Sequence, residues 1–306
     1  MQTRTLAVAS LAAAMLLVGS SVAVGRILVA ALPIHFASML RFALASLVLV
    51  PLVVAVEGRF PRVGARTLGI LALQALCGSF LFTVCLLSGL RLTQAADAGV
   101  VAAATPAMVA LLGCLIFRER PTRRALAGIA AAMTGIAALG AGQGHAGGAA
   151  ALLGDGLVLC AVAFEAVFLL LRRAVAEPLS PLAAAMWVSL LGLAFFLAPG
   201  LWQAGTIAPD ALTPAALAQL AYYGLGVTAA AYIFWFYGVV RVDAATAGVL
   251  TGLMPVAALF FAAWWCGERI TAREIAGCAG VLAGIAILAG AGHRSLSRMR
   301  QGKPPS

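Results

Sequence analysis

Two charged side chains lie inside long apolar stretches of the sequence, where charge is costly. Glu165 comes seven residues before Arg172, about 10 Å inside a helix that would end there. Arg41 comes eight residues after Pro33, about 12 Å along another apolar stretch. A buried carboxyl group can carry a proton or bind a substrate amine, whereas a guanidinium stays charged and suits a substrate carboxylate. These two residues are the first candidates for substrate binding or coupling.

Both charges also have a structural interpretation. Burial favours the protonated form of Glu165, which could simply hydrogen-bond to a neighbouring helix. Arg41 could extend to the membrane surface, or it could pair with Asp97, which begins another apolar stretch at a comparable depth. Asp97 is the preferred partner, and it is also a candidate site residue.

One aromatic-rich stretch carries polar groups on a single face. Thr228, Tyr232 and Trp235 share that face at helical spacing and predict the wall of a pocket for an apolar or aromatic substrate. Aromatic residues near a membrane end also form ordinary interfacial belts, which is the alternative.

Two prolines, Pro106 and Pro255, interrupt apolar stretches that correspond in the two halves of the chain. Each removes a backbone donor and frees a carbonyl, which favours a pair of hinges beside a substrate path over chance kinks. Nearby residues are further candidates for the cavity wall: Thr105, Met108, Thr246, Thr251 and Met254.

The composition indicates that these residues lie in a membrane. Hydrophobic residues make up 63% of the chain and charged residues 10%, with a mean hydropathy of +1.06. The net charge of +10 is carried by short connections between apolar runs, so it argues for helix orientation and against nucleic-acid binding. The cysteines and histidines show no metal-ligand spacing, and no metal or cofactor is expected.

The apolar stretches predict an all-α polytopic membrane protein. Backbone groups have no water partners in lipid, so each stretch of about 20 residues should be a helix. The ten expected transmembrane helices cover about 5–25, 33–55, 67–89, 94–117, 122–141, 152–171, 181–202, 214–238, 244–266 and 272–291.

A repeat divides the chain into halves. A constant shift of 149 residues carries Gly99 onto Gly248, Pro106 onto Pro255 and Gly128 onto Gly277. Each half would hold five helices, and an odd number inverts the second half in the membrane. The predicted units are a first repeat at 1–142, a glycine-rich linker at 143–151, a second repeat at 152–292 and a basic tail at 293–306.

The basic residues predict the orientation of the chain. Fifteen lysines and arginines fall on one side of the ten-helix arrangement and four on the other, so both termini should be cytoplasmic. The expected location is the plasma (cell inner) membrane.

Several segments together resemble the EamA-type transporters of the drug/metabolite transporter superfamily. They are LGVTAAAYIFWFYGVVR from Leu225, the Pro255 segment ending in GERIT, Gly277 with Gly284, and an opening half with Gly19-Ser20, Arg26, Pro33 and Arg41-Phe42. The resemblance implies a ten-helix bundle with a central substrate path, in a group dominated by exporters of amino acids and other small metabolites. The chain departs from it at Val18-Gly19 and Phe164-Glu165, where the family often has Trp-Gly and Trp-Ala.

The expected function is a secondary transporter that exports small metabolites such as amino acids by alternating access, with proton coupling through Glu165 as one form. The alternatives are a membrane enzyme, for which the acids are too scattered, and a scaffold, which gains little from buried charge. The expected partners are a small-molecule substrate and membrane lipid.

Glu119-Arg120 and Glu268-Arg269 should be helix anchors rather than gates. Small residues in helices five and ten favour a scaffold or a homodimer contact.

Overall fold

The computed structural model describes residues 2–117, 122–141, 148–175, 179–242 and 244–300, and these form helices without strands. Two segments, Leu76–Leu81 and Tyr222–Ala230, are π-helical, and two short 3₁₀ turns cover Arg172–Ala174 and Pro209–Ala211. The α-helices are α1 (Gln2–Ala31), α2 (Ile34–Glu57), α3 (Ala65–Ala75), α4 (Phe82–Gly89), α5 (Ala95–Ala102), α6 (Thr105–Phe117), α7 (Arg123–Ala141), α8 (Gly148–Leu171), α9 (Pro181–Ala204), α10 (Pro214–Ala221), α11 (Ala231–Val239), α12 (Ala244–Thr251), α13 (Leu253–Cys266) and α14 (Ala272–Arg300).

These helices follow the predicted segments, and the first and the last extend past their expected ends, the last one to Arg300. Helix α1 continues to Ala31, past the expected end at residue 25. It can pass Arg26 because that side chain is held by the carbonyls of Leu90 and Thr93. The chain then turns at Pro33, whose ψ of 140° is extended.

Seven continuous helical stretches among the described residues are long and apolar enough to cross a membrane, or eight if α5 and α6 count as one bent span. Three of the seven join shorter elements: Ala65–Gly89, Pro214–Val239 and Val249–Cys266. Among the described residues, α7 and α14, which correspond to the expected fifth and tenth spans, are not both long and apolar enough to be counted. The chain is therefore an all-helical polytopic protein, and the number ten stays a prediction.

Both half-chains contain a broken helix at equivalent positions. Helices α5 and α6 meet at an angle of 42°, just before Pro106. Helices α12 and α13 are separated at Gly252, three residues before Pro255. Pro106 and Pro255 lack the backbone N–H that would continue the hydrogen-bonded ladder, so the breaks follow from the sequence.

The two π-helical segments also correspond to each other. Residues 76–81 fall on 225–230 under the 149-residue shift, inside the second π segment. A π turn widens the helix and leaves backbone groups out of the regular ladder, and such turns are frequent at functional sites. In this chain both segments contribute residues to the same cavity.

The helices pack in a reciprocal pattern between the halves. Helix α1 packs on α11 and α13 of the second half, and α8 packs on α4 and α6 of the first. Helix α2 packs on α9, and α7 packs on α14. Each half therefore completes its core with helices of the other.

The small residues of α7 and α14 serve this packing. A Cβ atom added to Gly135 would lie 2.7 Å from the carbonyl oxygen of Gly277, and one added to Gly284 would lie 2.7 Å from that of Gly128. The two backbones are therefore in direct contact, as small residues allow in membranes. These faces are occupied within the chain, where they form part of its scaffold.

Candidate functional site

A cavity of about 190 Å³ lies between the two halves. Its walls come from both halves: α1, α2, the first π segment, α4 and α5 from the first, and α8, the second π segment, α11 and α13 from the second. The predicted site residues on its wall are Arg41, Glu165, Thr228, Tyr232, Trp235 and Met254. The remaining wall is largely apolar and includes Val18, Val22, Phe82, Leu86, Phe168 and Val227.

Arg41 is held in position by the second π segment. Its Nε donates to Thr228 Oγ1 at 2.7 Å, and Thr228 Oγ1 lies 3.0 Å from the carbonyl oxygen of Tyr223, to which it donates. The guanidinium carbon is 4.3 Å from the centre of the Tyr223 ring and 4.9 Å from that of Phe42, as in cation–π contacts. Arg41 Nη1 is buried and has no hydrogen-bond partner among the described residues. Arg41 therefore contributes a fixed positive charge to the cavity wall, and one of its donors is unused.

Glu165 supplies a carboxyl group on the same cavity wall. Its Oε2 lies 2.6 Å from Thr105 Oγ1, at the start of α6 just after the helix break. Thr105 therefore contacts a residue of the cavity wall without lining the cavity itself. A carboxyl and a guanidinium in one cavity can bind the two ends of a small molecule that carries an amine and a carboxylate.

The predicted Arg41–Asp97 pair is wrong. Asp97 is buried and pairs with Arg273 of α14, with 3.1 Å between Asp97 Oδ2 and Arg273 Nη2. Arg273 also contacts Glu274 at 2.6 Å. Equal depth along two helices does not fix which way each side chain points, and Asp97 points toward α14 instead of toward the cavity.

Glu268 caps a helix of the other half. Its two carboxylate oxygens accept hydrogen bonds from the backbone N–H groups of Ala95 and Ala96, each at 2.8 Å, at the start of α5. Arg26 lies beside it, with Nε 3.3 Å from Glu268 Oε1. These contacts hold α1, the start of α5 and the segment that follows α13 together. Glu119 and Arg120 lie outside the described residues.

The other predicted site residues are near the helix breaks but off the cavity wall as described. Met108, Thr246 and Thr251 do not line it, and Pro106 and Pro255 lie at the broken helices. Sequence reasoning missed Tyr223, Phe82, Phe168 and Gly78, which do line it. For Gly78 the signal was its size: a Cβ atom there would lie 2.5 Å from the Phe168 ring. Among the described residues, no group of three or more His, Cys, Asp or Glu could hold a metal.

Comparison with known proteins agrees with this architecture. A model of the EamA-like transporter family matches residues 5–141 and again residues 152–290. The chain is 36% identical over 279 residues to "Uncharacterized transporter YetK" of Bacillus subtilis (strain 168), which covers 90% of this chain and 84% of that protein.

A second relative is more distant. The chain is 28% identical over 249 residues to a "Probable terminal-alkyne amino-acid exporter" of Streptantibioticus cattleyicolor, over 81% of this chain and 80% of that protein. A solved crystal structure superposes with a TM-score of 0.62 at 18% identity, over 94% of this chain and 97% of that one, and supports the fold alone. The chain thus belongs to the EamA-like transporter family of the drug/metabolite transporter superfamily, and it is a multi-pass transmembrane transporter.

Proposed function

We propose that this protein is a secondary transporter that exports small metabolites such as amino acids by alternating access. The observation that carries the proposal is the cavity between the halves, which presents Arg41 from one half and Glu165 from the other. A site that is shared between two moving halves can be exposed to either side of the membrane in turn. The exporter name of the more distant relative supports the same substrate class.

The chemistry of the cavity suits an amino acid. The unused Nη1 donor of Arg41 can bind a substrate carboxylate, and Glu165 can accept a substrate amine. A hydrogen bond to a charged group contributes about 1.5–3 kcal/mol in a protein. Tyr232, Trp235 and Phe168 form an apolar surface for the rest of the molecule. Thr105, Thr228 and Met254 would complete the contacts.

Several observations support two inverted five-helix repeats with ten membrane spans. The family model matches two stretches of the chain, and the broken helices and π segments recur at equivalent positions. The reciprocal helix packing is what a pseudo-twofold relation between halves would produce. We assign the repeats to 1–142 and 152–292, with a linker at 143–151 and a tail at 293–306. We place the protein in the plasma (cell inner) membrane, with both termini in the cytoplasm.

Glu165 is also our candidate for proton coupling. Among the described residues it is the one carboxyl group on the cavity wall. It can exchange a proton with cavity water and bind a substrate amine in its ionised form, so that proton and substrate compete for it. Pro106 and Pro255 would act as the paired hinges that let the cavity change sides.

Purified protein in liposomes tests this proposal. A panel of radiolabelled amino acids is offered in counterflow at an acidic and an alkaline external pH, with protein-free liposomes as the blank. We expect counterflow of at least one amino acid, and a Glu165→Gln variant whose flux no longer depends on pH. Absence of flux for the whole panel would favour a scaffold, and chemical conversion of the amino acid would favour an enzyme.

A further inference from the structure

The hydroxyl group of Thr105 contacts two oxygen atoms at the break between α5 and α6. Thr105 Oγ1 is 2.8 Å from the carbonyl oxygen of Ala102 and 2.6 Å from Glu165 Oε2. A hydroxyl has one proton to donate, and a carbonyl oxygen can only accept. Both contacts are therefore full hydrogen bonds at the same time only when Glu165 carries a proton and donates it to Thr105.

The carbonyl of Ala102 needs this hydroxyl. In a regular helix it would accept from the N–H group four residues later, but that residue is Pro106, which has none. Ala102 is 3% exposed, and a buried carbonyl without a partner costs about 1–3 kcal/mol. The Thr105 hydroxyl takes the place of the missing donor and thereby stabilises the bent arrangement.

We infer that Thr105 couples the protonation of Glu165 to the bend between α5 and α6. This inference rests on the proposed function, in which Glu165 exchanges protons with the cavity. When the proton leaves Glu165 for cavity water, the carboxylate accepts a stronger, charge-assisted hydrogen bond from the Thr105 hydroxyl. The carbonyl of Ala102 then loses its donor, and the two helices rearrange until it finds another, such as water in the cavity that Ala102 lines. Thr105 is thus a positioning residue.

The second half has the hinge without this device. Under the 149-residue shift, Pro255 corresponds to Pro106 and likewise has no backbone N–H to donate to the residue four positions before it. The equivalent of Thr105 is Met254, which has no hydroxyl, and the residue of α1 that packs on Met254 is Gly19, where an added Cβ would lie 2.6 Å from the Met254 carbonyl oxygen. Helix α1 carries no acid that could take the place of Glu165. The proton response is therefore expected at the break in the first half of the chain and not at the corresponding break in the second half.

The other ionisable groups near Glu165 do not provide an alternative switch. Arg41, Tyr223 and Tyr232 share the cavity wall; arginine stays charged and tyrosine is ordinarily neutral at pH 7. Cysteine is also ordinarily neutral at pH 7. The segments packed on α8 carry Cys77, Cys85, Cys114, Arg66, Arg172 and Asp97, the last of which pairs with Arg273. Helix α8 itself also carries Cys160 and Asp155; Asp155 is ten residues from Glu165 along the helix, and its Oδ1 accepts a hydrogen bond from Thr93 Oγ1 at 2.6 Å. A pH response of this break is thus expected to come from Glu165.

The test measures the position of α6 directly. Spin labels are attached at Leu115 on α6 and Leu47 on α2, both exposed, in a variant whose cysteines have been replaced. The distribution of distances between the two labels is recorded by pulsed electron paramagnetic resonance in lipid at an acidic and an alkaline pH. We expect a pH-dependent shift in the parent and in Thr105→Ser, and loss of the shift in Thr105→Val and in Glu165→Gln.

A matched control is available on α7. Thr134 Oγ1 donates to the carbonyl of Ala131 at 2.9 Å, the same spacing as at Thr105, without a carboxyl partner. Thr134→Val should keep the full shift. Thr105→Ala is a second hydroxyl-free variant in case Thr105→Val does not elute as a folded protein.

Each other outcome has a definite meaning. If the hydroxyl-free variants shift as the parent does while Glu165→Gln does not shift, the role of Thr105 is refuted and the transport proposal stands. If Glu165→Gln shifts as the parent does, or if the parent does not shift, the inference is refuted. Counterflow in liposomes then decides the transport proposal separately.

Discussion

Replacement of Arg41 by glutamine is the sharpest test of the binding site. The change removes the positive charge and the buried Nη1 donor, and it leaves a side chain that can still reach Thr228. A hydrogen bond between charged partners contributes about 1.5–3 kcal/mol, and each 1.4 kcal/mol is tenfold in affinity. We therefore expect KM for an exported amino acid to rise about 10- to 150-fold.

The assay compares two probes in the same proteoliposomes: the amino acid and the amine that lacks its carboxylate. Transport of the amine should change little, because it makes no contact that needs Arg41. The matched control is Arg241→Gln. Arg241 is exposed and stacks on Tyr237 at 4.0 Å, so this variant removes the same charge outside the cavity.

Two results would refute this reasoning. An equal loss for both probes would mean that Arg41 supports the structure and does not select the carboxylate. An unchanged KM for the amino acid would mean that the carboxylate binds elsewhere. Thermal unfolding of the variant separates these cases from a protein that has not folded.

Further predictions concern stability and topology. Glu268→Ala should lower the free energy of unfolding by about 1–3 kcal/mol, because it removes the acceptors of the buried Ala95 and Ala96 N–H groups; an unchanged melting temperature in detergent would contradict the cap. Gly135→Ala should cost about 1–3 kcal/mol, because its Cβ would meet the α14 backbone at 2.7 Å. Gly69→Ala on α3, where a Cβ would meet nothing within 4 Å, is the control and should be neutral or stabilising. Tags on the two termini should both report from the cytoplasm, and tags on opposite sides would exclude an even number of spans.

The helices could be predicted from the sequence because the bilayer leaves the backbone few choices. Each apolar run has to satisfy its own N–H and C=O groups, which makes it a helix. The cavity-facing side of α11 could also be predicted, since Tyr232 and Trp235 are three residues apart on one helix.

Contacts between helices could not be predicted in the same way. Asp97 has the expected depth, but its partner Arg273 is 176 residues away in sequence and on a helix whose rotation the pattern leaves open. Glu268 binds backbone N–H groups, and because every residue except proline has one, the residue types do not indicate which of them it binds. The π segments depend on a shifted hydrogen-bond register, for which residue type is a weak signal.

The backbone contact between α7 and α14 restricts how the halves can move past each other. At Gly135 and Gly280 the facing backbones approach so closely that no flexible side chain lies between them. A sliding motion would drive neighbouring Cβ atoms into carbonyl groups, whereas a small swivel about the line of contact keeps the same atoms together. We therefore expect α7 and α14 to move least when the protein changes conformation, and we expect the displacement of the other helices to increase with their distance from this pair.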